Sequence, residues 1–144
     1  MIDIESWVYT QLVTALRIGI DADISTSSDP AMKPAKFPHV VIEQQDSSTV
    51  PEWATRGKMD NLNRVMFQVD VYTNTLGTRK SEAKRVMAVV CDWMSTHNFT
   101  RISLMPVAYN DSIYRLTARF TANVDMIVTT ENGVTTNYYG FYQN

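Results

Sequence analysis

The sequence predicts an α+β fold in which one mostly antiparallel sheet of about four strands carries two helices on one face. Three observations lead to this class. Apolar residues recur at helical spacing in two segments, apolar and polar residues alternate in two others, and the segments between them are rich in turn-forming residues. The predicted order along the chain is helix, strand, strand, helix, strand, strand.

The chain begins with a predicted helix from Ile4 to Leu16, where the apolar residues share one helical stripe. Asp3 or Ser6 is available to cap its start, and the helix is expected to end near Gly19. The stretch from Asp21 to Lys36 collects Asp, Ser, Thr and two prolines. These residues favour turns over regular hydrogen bonding, so this stretch is predicted to be a loop.

The next segment combines a strand with a stretch that has no clear period. Phe37 to Gln45 is rich in β-branched residues, and its proline stands at the first positions of the strand, where it does least harm. Asp46 to Asn63 keeps no sustained period. It is predicted to be either an irregular loop or the extended arms of a long hairpin.

Two strands are predicted from strict alternation. Arg64 to Asn74 alternates between an apolar face that includes Phe67 and a polar face that includes Asp70. Ile113 to Met126 alternates in the same way, with Phe120 on its apolar face. We expect antiparallel neighbours joined by hairpins to make up the one sheet.

Between these strands the pattern changes to that of a helix. Thr78 to His97 carries an apolar stripe that includes Val90, which is typical of an amphipathic helix lying on a sheet. Phe99 to Val107 supplies a further strand. Tyr109 to Ser112 then has the Asn and Asp of a tight hairpin turn.

Length and composition agree with one folded domain, since the chain has 144 residues, of which 44% are hydrophobic and 19% are charged. Residues 1–128 are predicted to form this domain, and residues 129–144 an aromatic tail or a small hairpin turned by Asn132 and Gly133. The formal net charge of -2 gives no reason to expect direct nucleic-acid recognition. Because the sequence begins with acidic residues and has no long apolar run, we expect neither a secretion signal nor a membrane span.

The residues that most often carry chemistry are all interpreted as structural. His39 opens a strand, and His97 stands in the last turn of the second helix, where an imidazolium complements the helix dipole. The single cysteine, Cys91, falls on the apolar stripe of that helix, where a thiol behaves as a small hydrophobe. Asp70 and Asp125 share a polar face with arginines, which favours cross-strand ion pairs over acid–base catalysis. No enzymatic activity, cofactor or metal site is expected.

Several other groups are candidates for contacts with a neighbouring subunit. Trp53 and Met59 stand in a polar stretch. Their apolar side chains are expected to be buried, either against their own domain or against a neighbouring subunit. Arg79, Lys80, Lys84 and Arg85 cluster on the first turns of the second helix. Because Glu82 stands among them and Asp92 follows, they are more typical of a solvated or intersubunit face than of a nucleic-acid patch, and Arg79, Lys80 and Arg85 are interface candidates. Four aromatic residues near the end of the chain are either interface residues or part of a docked tail that closes the sheet edge. They are Tyr138, Tyr139, Phe141 and Tyr142.

Three stretches between residues 37 and 125 stand out as an ordered set. They read FPHVVIEQQDSS, NRVMFQVDVYTNTLGTRKSEAKRVMAVVCDWMSTHNFTRISLMP and NDSIYRLTARFTANVD. The most distinctive features are a strand ending in VDVYTN, a helix opening with TRKSEAK, the NFTR step and the IYRLTARF strand. Together they resemble the tail-terminator, or tail-completion, family of long-tailed phages and related prophages.

This resemblance implies a small α+β subunit that assembles with itself into a ring, expected to be a hexamer, on the end of the tail tube. Such a ring halts polymerisation of the tube and provides the surface for head–tail joining. The implied partners are therefore the tail tube protein and a head–tail connector or head-closure protein. The implied location is the neck end of the tail in the virion, after assembly in the cytoplasm of the bacterial host. The family has no catalytic residues to carry over.

Three other functions stay open. Another neck component, such as a head-closure or head–tail adaptor protein, shares the small size and the ring symmetry. A small enzyme or ligand-binding domain requires a concave site with convergent polar residues, and the sequence indicates none. An RNA-binding sheet of the RRM type requires exposed aromatic residues on its central strands, whereas Phe67 and Phe120 are predicted to lie on the apolar face.

Overall fold

A computed structural model of the chain describes residues 3–29, 34, 36–49, 62–131 and 133–142. Its description of side chains leaves out residues 49, 62, 125–131 and 134–142. The helices are α1 (Glu5–Gly19) and α2 (Arg79–Thr96). The strands are β1 (Ser25–Ser27), β2 (His39–Thr49), β3 (Leu62–Thr73), β4 (Thr100–Pro106), β5 (Tyr114–Glu131) and β6 (Val134–Tyr142).

One sheet contains all of these strands. Its order is β1-β2-β3-β5-β4, and β6 also pairs with β5. The pair β1 and β2 is parallel, and the other pairs are antiparallel. Because β3 lies along residues 114–125 of β5, β4 and β6 must both lie on the other side of β5, one after the other. The predicted α+β class, with two helices and a mostly antiparallel sheet, is confirmed.

The hydrophobic core lies between the two helices and one face of the sheet. Phe67 of β3 stands directly opposite Phe120 of β5, and both side chains are almost completely buried. The ring of Phe99, which precedes β4, meets the ring of Phe67 edge to face, with 5.8 Å between the ring centroids. Aromatic pairs of this geometry add to the stabilisation that apolar burial provides. The apolar faces predicted for β3 and β5 therefore meet in register.

Helix α1 is attached to the sheet where the pairing of β2 with β3 shifts register just after Gln44. At this point the amide of Gln44 donates a hydrogen bond to Glu5 Oε1 at 2.9 Å. The amide of Ile4 donates in turn to Gln44 Oε1 at 3.0 Å. Asp3, one of the two predicted caps, accepts the amide of Glu5 at 3.1 Å, whereas Ser6 lies within the helix. Gln44 thus accepts one amide at the start of α1 and donates its own amide to the side chain of Glu5.

Helix α2 buries the stripe that the sequence predicts, apart from Cys91. Val90 is completely buried, but Cys91 is half-buried beside the core, because one further residue turns its side chain by about 100° towards β4. At the end of the helix, Nδ1 of His97 lies 2.8 Å from the carbonyl oxygen of Trp93, and the two rings stack. Trp7 of α1 packs against Trp93, with 6.1 Å between the centroids, and so joins the two helices.

The strand boundaries differ from the sequence prediction at three places. β1 lies within the stretch that is predicted to be a loop. Its three residues are all polar, so no alternation of apolar and polar side chains indicates a strand there. β2 continues to Thr49 and β3 begins at Leu62, so both ends of the stretch predicted as a loop or as hairpin arms belong to paired strands. β5 extends to Glu131 and pairs in an antiparallel manner with β6, which begins at Val134. Gly133, just before β6, has a φ of 77°, a conformation that is accessible to glycine.

Phe67→Ala is expected to lower the free energy of unfolding by about 3 to 5 kcal/mol, because it leaves a cavity in the centre of the core. Urea denaturation followed by far-UV circular dichroism measures this loss. Arg64→Ala, an exposed position on the same strand, is the control and is expected to change stability by less than about 0.5 kcal/mol. Equal stability of Phe67→Ala and wild type would contradict the placement of Phe67 in the core.

Candidate subunit interface

Strand β4 forms an edge of the sheet and exposes three large apolar side chains. Ile102, Leu104 and Met105 are 52%, 41% and 53% exposed. The pairing with β5 shifts register just after Arg101, and beyond this shift Leu104 lies on the helix side of the sheet and Met105 on the opposite side. Within the described part of the chain, no strand pairs with the outer side of β4. An unpaired edge with apolar side chains on both faces is a surface to which another chain can bind.

A groove of about 610 Å³ lies between α2 and β4. Its apolar lining includes Met87, Ala88, Leu104, Pro106, Tyr114 and Leu116. Its charged lining residues are Lys80, Lys84, Arg101 and Asp92, all of them exposed. Cys91 also lines the groove, and its Sγ lies 3.7 Å from Nη1 of Arg101. We call this surface the basic groove, because cations outnumber the acid and the interior is apolar.

The three basic residues predicted as interface candidates lie in different surroundings. Lys80 lines the basic groove. Arg79 donates a hydrogen bond from Nη1 to the carbonyl oxygen of Asp111 at 2.9 Å, so it holds the connection between β4 and β5 within the subunit. Arg85 lines a second cleft, of about 490 Å³, together with Asp21 from the end of α1. Of these three residues, Lys80 is the one next to the exposed β4 edge.

The side chains of the other predicted interface residues lie outside the described part of the structure. Trp53 and Met59 lie outside the described residues. The four aromatic candidates lie in β6, whose backbone pairs with residues 123–131 of β5, and their side chains are outside the description. These residues are Tyr138, Tyr139, Phe141 and Tyr142. Backbone pairing of β6 therefore covers the part of the β5 edge next to β4.

The apolar residues of β4 are missing from the sequence-based candidates, although the sequence carries a signal for them. In the stretch RISLMP, Leu104 and Met105 are adjacent, so the apolar residues do not keep to one face of the strand. A strand that is half-buried in a single domain alternates. Two adjacent large apolar residues in a short strand therefore indicate a strand that is open, or bound, on both faces.

The face of the sheet away from the helices carries a buried polar network centred on Asp70. This residue is 2% exposed and accepts hydrogen bonds from Gln68 Nε2 at 3.0 Å, from Arg115 Nε at 3.1 Å and from the hydroxyl of Thr117. The contact with Arg115 is also an ion pair, which confirms the cross-strand pairing predicted for Asp70. The side chain of Asp125 lies outside the description. Because both carboxylate oxygens are hydrogen-bonded, Asp70 ties β3 to β5.

His39 lies beside this network and joins β2 to β1. It is 5% exposed, and its Nδ1 lies 2.7 Å from the hydroxyl oxygen of Ser25. Its Nε2 has no hydrogen-bond partner among the described residues. Burial lowers the pKa of His39 below its ordinary value of 6.5, since a charged ring would lose its hydration there. His39 therefore acts as a neutral buried side chain.

Among the described residues, no group of three or more His, Cys, Asp or Glu side chains is placed to hold a metal ion. The described helices also include none that is both long and apolar enough to cross a bilayer. No family model matches the chain, and no curated protein matches it either. Function must therefore be inferred from this chain's own sequence and geometry.

Thr117→Val is expected to lower the free energy of unfolding by about 1 to 3 kcal/mol, because it removes a hydrogen-bond donor to the buried Asp70 carboxylate while keeping the shape of the side chain. Chemical denaturation measures the loss. Thr10→Val, at an exposed position on α1, makes the same chemical change and is expected to cost less than about 0.5 kcal/mol. Equal effects of the two substitutions would count against the role given to Thr117.

His39→Gln is expected to make stability less sensitive to acid. Because the pKa of His39 is lower in the folded chain than its ordinary value of 6.5, the unfolded chain binds this proton more readily as the pH falls. The contribution of neutral His39 to stability should therefore be fully present above about pH 6.5 and decrease as the pH falls below it, towards the lowered pKa of the folded state. Denaturation from pH 7.5 to pH 5 measures the difference between the two proteins, in which the other titrating groups largely cancel. Parallel pH profiles would show that His39 does not contribute.

Proposed function

We propose that this chain is a structural subunit of a phage tail, of the tail-terminator or tail-completion kind. In this proposal it assembles into a ring that caps the end of the tail tube, stops polymerisation of the tube and provides the surface for head–tail joining. Its partners are further copies of the chain, the tail tube protein and a head–tail connector or head-closure protein. The observation that carries the proposal is the apolar edge of β4 beside the basic groove, with which none of the described strands pairs on its outer side.

The β4 edge favours an assembling subunit over a protein that acts alone. Proteins that stay monomeric blunt their sheet edges with charges, prolines or covering segments, because an open edge invites pairing with other chains. β4 has Arg101 and Pro106 near its ends. Between them, however, Ile102, Leu104 and Met105 expose large apolar side chains. Contact with another protein surface would remove these side chains from water, and this gain in free energy supports assembly.

The resemblance to tail terminators and the exposed surface fall on the same residues. The stretch NFTRISLMP, which is part of the resemblance, contains the whole of β4. The stretch TRKSEAK opens α2 and supplies Lys80 and Lys84 to the basic groove. The proposed contact surface therefore lies within the part of the chain that carries the resemblance. In the proposal, this surface works in the virion, at the neck end of the tail, after assembly in the host cytoplasm.

The proposed role is structural and not enzymatic. Asp70 is fully engaged by its neighbours on β3 and β5. His39 and His97 contact Ser25 and the Trp93 carbonyl, at separate places in the fold. Such engagements stabilise the subunit, and they support a protein whose function lies in its outer surface.

Leu104→Asp is expected to weaken self-association at least about tenfold and to prevent capping of tail tubes, because it places a charge in the apolar contact. Sedimentation measures the assembly, and electron microscopy of growing tubes measures their length with and without the protein. The control is Leu76→Asp, which makes the same change at a side chain that is 86% exposed and should leave both readouts unchanged. Tubes that grow equally long with and without wild-type protein would refute the proposal.

A deletion of the gene separates this function from that of another neck component. Loss of a terminator should give overlong tails and heads without tails. Loss of a head-closure or head–tail adaptor protein should instead give tails of normal length and heads that lose their DNA. The second outcome would replace the terminator proposal with the alternative.

A further inference from the structure

We infer that each copy docks an acidic edge into the basic groove of the next copy, so that the assembly is head-to-tail. We define the acidic edge as the exposed Asp21, Asp23 and Asp29, which flank β1. The inference rests on the proposed function only in taking the chain to assemble with itself. It adds which two surfaces of the subunit meet.

The acidic edge and the basic groove lie at opposite ends of the sheet. β1 is the first strand in the sheet order and β4 is the last, so four strand spacings, or about 19 Å, separate them. Oδ1 of Asp21 accepts the amide of Asp23 at 3.0 Å, which fixes the turn between α1 and β1. Nζ of Lys36 donates to the carbonyl oxygen of Asp23 at 2.9 Å and adds one cation to this end.

The two surfaces are complementary in charge and in apolar character. The basic groove carries three cations and one acid, whereas the acidic edge carries three carboxylates beside two cations, Lys36 and Arg85. Ile18, which precedes Asp21 by three residues, is 84% exposed and offers an apolar side chain to the apolar interior of the groove. Interfaces of this kind combine an apolar centre, which supplies affinity, with charges that select the partner.

The same charges disfavour symmetric pairing. A contact between two basic grooves would bring Lys80, Lys84 and Arg101 of both copies together, and a contact between two acidic edges would bring carboxylates together. Like charges across an interface are unfavourable. The head-to-tail contact instead pairs opposite charges at every junction. It leaves one free groove and one free edge on an open chain of copies, and closure into a ring pairs these last two surfaces.

The test uses charge reversal at each surface of the full-length chain. One variant carries Lys80→Glu and Lys84→Glu in the groove, and the other carries Asp23→Lys and Asp29→Lys at the acidic edge. All four positions are exposed, so both variants should keep the wild-type unfolding transition. Arg64→Glu, at an exposed position on the central strand β3, is the control for the change in charge.

Each variant alone is expected to raise the dissociation constant of the assembly at least about tenfold, because every junction then joins like charges. Sedimentation and native mass spectrometry over a concentration series measure this change, with wild type and Arg64→Glu as references. An equimolar mixture of the two variants is expected to assemble again, in rings where the variants alternate. Carbodiimide, which joins an amine directly to a carboxylate, is expected to link Lys84 of one wild-type copy to Asp23 of another.

Two results would overturn the inference. One is an acidic-edge variant that assembles with the same dissociation constant as wild type, and the other is an equimolar mixture of the two variants that does not assemble. If wild type caps tail tubes while both variants assemble normally, the proposed function stands and the docking inference fails. If the mixture recovers but wild-type rings leave tubes uncapped, the inference stands and the tail function fails. A wild-type chain that stays monomeric, both alone and with tubes, would remove both.

Discussion

The pairing of β3 with β5 is the constraint on which the rest of the structure depends. Its register sets Phe67 opposite Phe120 on the helix side and Asp70 opposite Thr117 on the other side. Because side chains alternate along a strand, a slip by one residue would turn every apolar residue out and bury the charged ones. The core and the network around Asp70 therefore enforce the same register from both faces of the sheet.

Two departures from this regular register give the subunit its particular surfaces. The shift in β2 after Gln44 frees polar groups that hold the start of α1. The shift in β4 after Arg101 changes which side chains face α2, so that Leu104 lines the groove while Met105 lies on the other side. Bulges of this kind are common at sheet edges, where they redirect side chains. Here one anchors a helix and the other exposes an apolar edge.

The sequence predicts α2, β3 and β5 well because their periodicity is a local property of the chain. Whether a strand becomes an edge depends instead on the order of strands, which is set by distant pairings. The adjacent Leu104 and Met105 are a local sign of an open strand, but the position of β4 at the edge follows only from that order. The polar strand β1 has no hydrophobic pattern, and its pairing with β2 is likewise visible only in three dimensions. At the candidate site, the cluster of basic residues in the sequence includes Lys80. Arg79 is held within its own subunit by the distant carbonyl of Asp111, and the spacing of residues along the chain does not predict this contact.

The net charge of -2 is unevenly distributed along the sheet. Beside β1, three carboxylates exceed the two nearby cations Lys36 and Arg85, and beside β4, three cations exceed the one acid, Asp92. In a head-to-tail assembly this polarity gives direction, because every junction pairs unlike ends, while the apolar β4 edge supplies the affinity. A ring of such subunits leaves no unpaired end, whereas an open chain always leaves two. The polarity orients each contact, and such contacts close into a ring when the rotation between neighbouring copies divides a full turn evenly, which the proposed capping function requires.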